Sequence, residues 1–438
     1  MKNLALSLAL AGVVAGCGSE TVDDGRNPFL EDLSDSGKED SAYLNPDGVE
    51  VEVDLEGDVT GSKFQVAEGP AMIGQFALTY FRKQEKLFIE SLAEDASSAG
   101  RAEWLIDGTW VAADEVPAGA TLTHWRLRGL NAVHLFSAGT KPKVGLELTA
   151  KVPMNPFTIL KDAGETCADD DDHIGLDNSV YWYRWEGDKP GCTAALQDLK
   201  VTVSKTFSTA TAAVYPEYDQ LVADGKVTAV ILFGQIGDEA EISPNDIGVR
   251  NHARYGRMLK DAGFAEVTAP IGKRYEKKLR GGVTAQVDLY APKDFSGLGD
   301  FAHFSNFQKA LSEHEIVAYD GHSMLGASDF WTRPTYPKSY QIYLYGGCLG
   351  YEYYIKPILH GKGDSWDKLD IMSSVIEVTA DATDFAAPAI AKIFFAIENG
   401  KRSSWKQILN IVRDSVGDST FGVSGVRGNC YKPGGNRC

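Results

Sequence analysis

Glu315-Ile316-Val317-Ala318-Tyr319-Asp320-Gly321-His322-Ser323 is a short apolar run that breaks at a glycine and then presents a histidine. After a loop from Met324 to Ser339, Tyr340-Gln341-Ile342-Tyr343-Leu344-Tyr345-Gly346-Gly347-Cys348-Leu349-Gly350 repeats the pattern and presents a cysteine. Short apolar runs bounded by turn residues signal buried strands. Open α/β sheets collect their active groups at the carboxyl ends of strands. The two stretches therefore predict a base and a thiol at one sheet edge, the equipment of a cysteine hydrolase. The imidazole of His322 can take the Cys348 proton and later return it to a leaving amine. Gly346 and Gly347 let the backbone approach a substrate. The Cys348 N–H, opening the helix expected to follow, is placed to stabilise an oxyanion. No third catalytic residue is demanded.

Around these stretches, strands and helices alternate from about residue 209. Val227 to Phe233 reads as a strand. Ser243-Pro244-Asn245-Asp246 reads as a helix start, with a capping serine, proline at the first helical position and an acid in the first turn. That helix is expected to run to Ala262, with Gly263 as its stop. Val283 to Leu289 alternates as a strand, and Phe301, Phe304, Phe307 and Leu311 sit at helical spacing. Val375 to Val378 offers a further strand. Phe385 to Asn399 and the stretch from Trp405 to Val412 read as helices. Strands alternating with helices predict a mainly parallel, layered α/β sheet over 209–415. Upstream, 46–208 is mostly period two: Val49, Val51, Val53 and Leu55; Val144 to Val152; Leu199, Val201 and Val203. This predicts an all-β, sandwich-like domain. Phe76 to Ala93 fits either a helix or long strands.

The strand, helix, strand, helix, strand-His, strand-Cys order resembles the caspase-hemoglobinase fold of cysteine peptidases. The nearest branch is the separase and CHAT-domain group, which carries Tyr-x-Gly-His-Gly and a Gly-Cys turn. The matching residues are Tyr319-Asp320-Gly321-His322-Ser323 and Gly347-Cys348-Leu349-Gly350. Ser374-Val375-Ile376-Glu377-Val378-Thr379-Ala380-Asp381-Ala382-Thr383-Asp384-Phe385 is similar to the segment that follows the cysteine there. The resemblance covers roughly residues 225–415. It implies a caspase-like domain, endopeptidase activity without a cofactor or metal, and a polypeptide substrate. It implies oxyanion contacts from the backbone at Ser323 and Gly347, and a pocket for Arg or Lys lined by Asp381 or Asp384. One departure stands out. Ser323 replaces the usual glycine after the histidine; its N–H is retained but its Cβ restricts φ. A catalytically inactive relative that binds protein or glycan at the surface is the alternative. Trp331 or Tyr336 filling the space between thiol and imidazole would favour it. A metal-dependent hydrolase would need carboxylates or histidines converging on His322, and the sequence holds no such cluster.

The 438 residues allow two or three domains, and a net charge of −18 argues against holding nucleic acid by its phosphates. Lys2 followed by the apolar run Leu4 to Val14 reads as a signal peptide over 1–17. Its end, Val14-Ala15-Gly16-Cys17, resembles the bacterial lipobox, which implies lipidation of Cys17 and a membrane anchor in the cell envelope. Residues 18–45 are polar and acidic, and read as a disordered tether. In an exported chain the remaining cysteines make two local disulfides, Cys167–Cys192 and Cys430–Cys438, the latter closing a C-terminal tail over 416–438. Cys348 is left outside this pairing, which suits either a buried apolar role or catalysis. Asp169 to Asp172, with His173, Asp177 and Asn178, read as a solvated acidic loop rather than a calcium site, since the spacing matches no EF-hand loop. Tyr181 to Trp185 reads as an aromatic strand, and Lys273 to Arg280 as a solvated hairpin or loop.

Overall fold

Ser62 opens the longest helix among the described residues of the computed structural model, α1 (Lys63–Lys83), through a capping box. Its hydroxyl accepts from the Gln65 N–H at 3.4 Å, and the Gln65 side chain accepts from the Ser62 N–H at 2.9 Å. Such a cap contributes about 1 kcal/mol. The structure describes residues 27–30, 48–84, 87–89, 101–135, 139, 141–159, 166–168, 182, 184–207, 214–237, 241–295, 301–322, 329–375, 378, 385–416, 421–426, 431 and 433. α1 buries Ile73, Phe76, Ala77, Leu78 and Phe81. They cover the apolar face of a seven-stranded sheet built from β1 (Gly48–Asp58), β2 (Leu87–Ile89), β3 (Glu103–Ile106), β4 (Thr109–Ala112), β5 (His124–Leu135), β6 (Glu147–Pro153) and β7 (Leu196–Thr206). The strand order is β4-β3-β5-β1-β7-β6, with β2 also on β5, and every pairing is antiparallel. Val51, Val53 and Leu55 of β1 point into the core, while Glu52, Asp54 and Glu56 face the other way, as a period of two dictates.

The second sheet contains β8 (Lys226–Phe233), β9 (Ala265–Val267), β10 (Lys273–Lys278), β11 (Thr284–Tyr290), β12 (Ile316–Asp320), β13 (Gln341–Tyr345), β14 (Leu369–Ser374) and β15 (Phe421–Ser424). Its order is β15-β14-β13-β12-β8-β11-β10-β9. The pairings from β14 to β11 are parallel, and those of β15, β10 and β9 are antiparallel. Among the described residues, four longer helices accompany it: α2 (Ile247–Asp261), α3 (Phe301–Glu313), α4 (Ala386–Asn399) and α5 (Trp405–Val416). Ile342 and Leu344 share a buried cluster with Ile390 and Ile393 of α4, while Tyr343 and Tyr345, on the other face, join Phe307 and Trp331.

The expected all-β sandwich joined to a mainly parallel, caspase-like layered domain is overturned. The first unit is one wholly antiparallel sheet backed by a helix, and the second sheet is mixed, with antiparallel pairing at both edges. The reason is physical. An alternating strand announces that one face needs a cover without saying whether a sheet or a helix supplies it. α1 was obscured because Gly69, Pro70 and Gly74 weaken its helical signal. Nor does a strand's own sequence fix its partner's direction. The basic run at Lys273 is β10, and β15 comes from the segment read as a tail. The strand expected at Val375 lies earlier, at Leu369–Ser374. Around Trp182 and Trp185 the described backbone is turn with a single bridge to Ala168, not an aromatic strand.

One continuous buried cluster joins the antiparallel sheet, α1 and a face of the mixed sheet. Polar contacts cross the same junction: Tyr351 donates to Glu50 at 3.1 Å, and Arg82 lies 3.5 Å from Glu352. Among the described residues, no helix is long and apolar enough to cross a membrane.

Candidate functional site

Four neighbouring strands of the mixed sheet, β8, β12, β13 and β14, run parallel and end at one level. Phe233 pairs with Asp320, Tyr319 with Tyr345, and Tyr345 with Ser373. The segments leaving these ends carry, in spatial order, Ile236, His322, Cys348 and Val378. The Gly346 N–H donates to the Tyr319 carbonyl at 2.9 Å, extending the ladder between β12 and β13 toward His322 and Cys348.

His322 is held on both sides. Its Nε2 lies 2.7 Å from the Ile236 carbonyl oxygen. A carbonyl only accepts, so Nε2 carries the hydrogen, and on the neutral ring Nδ1 is the basic nitrogen. The backbone is pinned separately: the Tyr319 hydroxyl donates to the His322 carbonyl at 2.7 Å. Burial lifts the Tyr319 phenol far above its ordinary range, and the Asp320 carboxylate and a charge on Cys348 push the same way. Tyr319 therefore stays a neutral donor.

Cys348 is a thiol rather than a half-cystine, and it is 8% exposed. Its Sγ donates to the Val378 carbonyl at 3.3 Å and accepts from the Val378 N–H at 3.4 Å. The turn is built by close approach. A Cβ on Gly347 would lie 2.6 Å from the Tyr345 hydroxyl, and one on Gly346 would overlap the Phe385 ring. The next residue, Leu349, has φ of 55° and caps the short helix Gly350–Tyr353. A branched side chain in the left-handed region costs about 1–2 kcal/mol, and such strain collects at functional turns. Beneath the site lies an aromatic layer. Tyr345 stacks on Tyr319 at 5.4 Å and on Tyr354 at 4.5 Å, and Trp331 meets Tyr319 and Tyr345 edge-on at 5.9 and 5.8 Å. Trp331 and Tyr336 belong to this layer, on the face of the sheet that carries Tyr343.

Ser323, Asp381, Asp384, Cys17, Cys430, Cys438 and the acidic stretch at Asp169 lie outside the described residues. Val378 and Phe385, on either side of the segment that carries the two aspartates, are described. Val378 contacts the Cys348 sulfur, and the Phe385 ring packs against Gly346. Cys167 and Cys192 form a disulfide. Among the described residues, no group of three or more His, Cys, Asp or Glu side chains is placed to hold a metal ion.

Sequence reasoning missed the Ile236 carbonyl and both backbone groups of Val378, because backbone partners leave no residue signature. It read Asp246 as a first-turn acid. Asp246 is instead the N-cap of α2, which starts at Ile247. Tyr319 was legible as the first residue of the Tyr-x-Gly-His pattern, but not that its hydroxyl donates to the His322 carbonyl.

No protein-family model matches the chain, and no curated protein or solved structure matches it either.

Proposed function

We propose that this protein is a cysteine hydrolase that cleaves peptide bonds, exported and anchored in the cell envelope by lipid on Cys17, with Cys348 as nucleophile and His322 as general base. The observation that carries this reading is the common register that sets both residues just past the ends of adjacent parallel strands. The Nε2 bond to Ile236 supports it, because it leaves Nδ1 as the nitrogen that takes the proton. In the reaction, Nδ1 removes the Cys348 proton and the thiolate adds to the scissile carbonyl. The imidazolium then protonates the amine as the C–N bond breaks. Water, deprotonated by the same nitrogen, hydrolyses the thioester and restores the thiol. Backbone N–H groups at Gly347, Cys348 and Ser323 are the proposed oxyanion donors. Asp381 and Asp384 are proposed to select Arg or Lys before the cleaved bond, which suits a chain of net charge −18.

A second reading, a surface lipoprotein that binds protein or glycan without turnover, has one observation in its favour. The Cys348 sulfur is buried and bonded to both polar groups of Val378, as a structural thiol would be. Fluorogenic peptides with Arg or Lys before the leaving group separate the two. Turnover by wild type that is lost in Cys348→Ala and His322→Ala supports the hydrolase. Binding without turnover, or turnover that survives Cys348→Ala, supports the alternative.

A further inference from the structure

We infer that Asp246 is a positioning residue for His322, acting through the turn at Ile236 and Gly237. The inference rests on the hydrolase reading. Asp246 is 6% exposed, and its two carboxylate oxygens do separate work. Oδ1 accepts from the Gly248 and Val249 N–H groups at 2.8 and 3.3 Å, which caps α2. Oδ2 accepts from the Ile236 and Gly237 N–H groups at 2.9 and 2.7 Å. Ile236 is the residue whose carbonyl accepts the His322 Nε2–H at 2.7 Å. One carboxylate thus ties the start of a rigid helix to the peptide that orients the imidazole. A cap needs only one acceptor oxygen, and the other is spent on this turn.

The turn has little room to move. The Gly234 N–H donates to the Asp320 carbonyl at 2.7 Å, locking the ends of β8 and β12 together. A Cβ on Gly248 would overlap the Gly234 carbonyl, so α2 abuts the same strand end. Without the Oδ2 contacts, the Ile236 peptide loses both neighbouring anchors on its N–H side, and its carbonyl no longer fixes the ring nitrogen that faces it. A base misplaced by an ångström can cost orders of magnitude in rate.

Asp246→Ser tests this. Serine retains a cap for α2, but cannot reach Ile236 and Gly237 as well. The readout is the pH dependence of Cys348 alkylation by iodoacetamide, followed by mass spectrometry on the full chain, with His322→Ala as reference. We expect Asp246→Ser to slow alkylation at neutral pH on the order of tenfold. Its profile should move toward that of His322→Ala, with a melting temperature close to wild type. If His322→Ala changes the profile and a folded Asp246→Ser does not, the positioning role is overturned while the dyad stands. If His322→Ala leaves the profile unchanged, the dyad reading fails and takes this inference with it. Should Asp246→Ser not fold, Asp246→Asn is read instead. Its single oxygen can serve only one of the two N–H pairs, so the same shift is expected, and a wild-type profile counts against the role.

Discussion

Tyr319 and Tyr345 pair across adjacent parallel strands with their rings stacked at 5.4 Å, and His322 and Cys348 each lie three residues further along the chain. Because side chains alternate along a strand, a slip of one residue in this pairing would turn Tyr345 out of the aromatic layer and shift Cys348 along the sheet edge relative to His322. The stacked tyrosines thus act as the register mark for the proposed dyad.

Tyr319→Phe keeps the ring stack and removes the hydroxyl that donates to the His322 carbonyl. Its expected cost is about 1 kcal/mol of stability. A reduced kcat/KM for peptide turnover should accompany it, since the backbone carrying the base loses an anchor. Thermal melting and steady-state kinetics check this. A variant with wild-type kinetics would show that the bond is structural only.

Gly346→Ala places a methyl group against the Phe385 ring. Overpacking of this kind costs about 1–3 kcal/mol. Denaturant unfolding should show that loss, and Phe385→Leu in the same chain should recover part of it. Full stability in the single variant would contradict the close approach.

Asp370 supplies a pH signature away from the dyad. Complete burial raises its carboxyl from 3.8 to about 7, against the opposing bonds from Tyr340 and Trp405; the charge of Glu217 adds to the rise. Both donors reach one oxygen, Oδ2, at 2.6 and 2.9 Å. An acid whose folded pKa is raised stabilises the fold fully below its unfolded pKa. That stability is lost as pH rises toward the folded pKa, because only the unfolded chain ionises in between. The unfolding free energy should therefore fall between about pH 4 and pH 7, by on the order of a few kcal/mol from this group. Asp370→Asn keeps an acceptor for both donors and cannot ionise. It should match wild type near pH 4 and exceed it at pH 8. Parallel stability curves for the two proteins would refute the shift.

The positions of His322 and Cys348 just past two buried strands were more legible in the sequence than the fold around them. Tyr319 to His322 and Tyr345 to Cys348 were legible because a fully buried strand needs an unbroken apolar run and a turn needs glycine. The direction of strand pairing was not legible, because β10 and β15 carry no mark of running antiparallel to their neighbours. α1 was hidden by Pro70 and its glycines, although Ser62 and Gln65 form a capping box that sequence alone could have flagged. Asp246 was visible as an acid near a helix start, but its second pair of bonds depends on where β8 ends, which is a tertiary fact.

The central claim, that Cys348 is a nucleophile served by His322, is tested most directly by a peptide chloromethyl ketone ending in arginine, with the adduct located by mass spectrometry. The account predicts a single adduct on Cys348 in wild type, none in Cys348→Ala, and strongly slowed labelling in His322→Ala. Equal labelling of wild type and Cys348→Ala would contradict it.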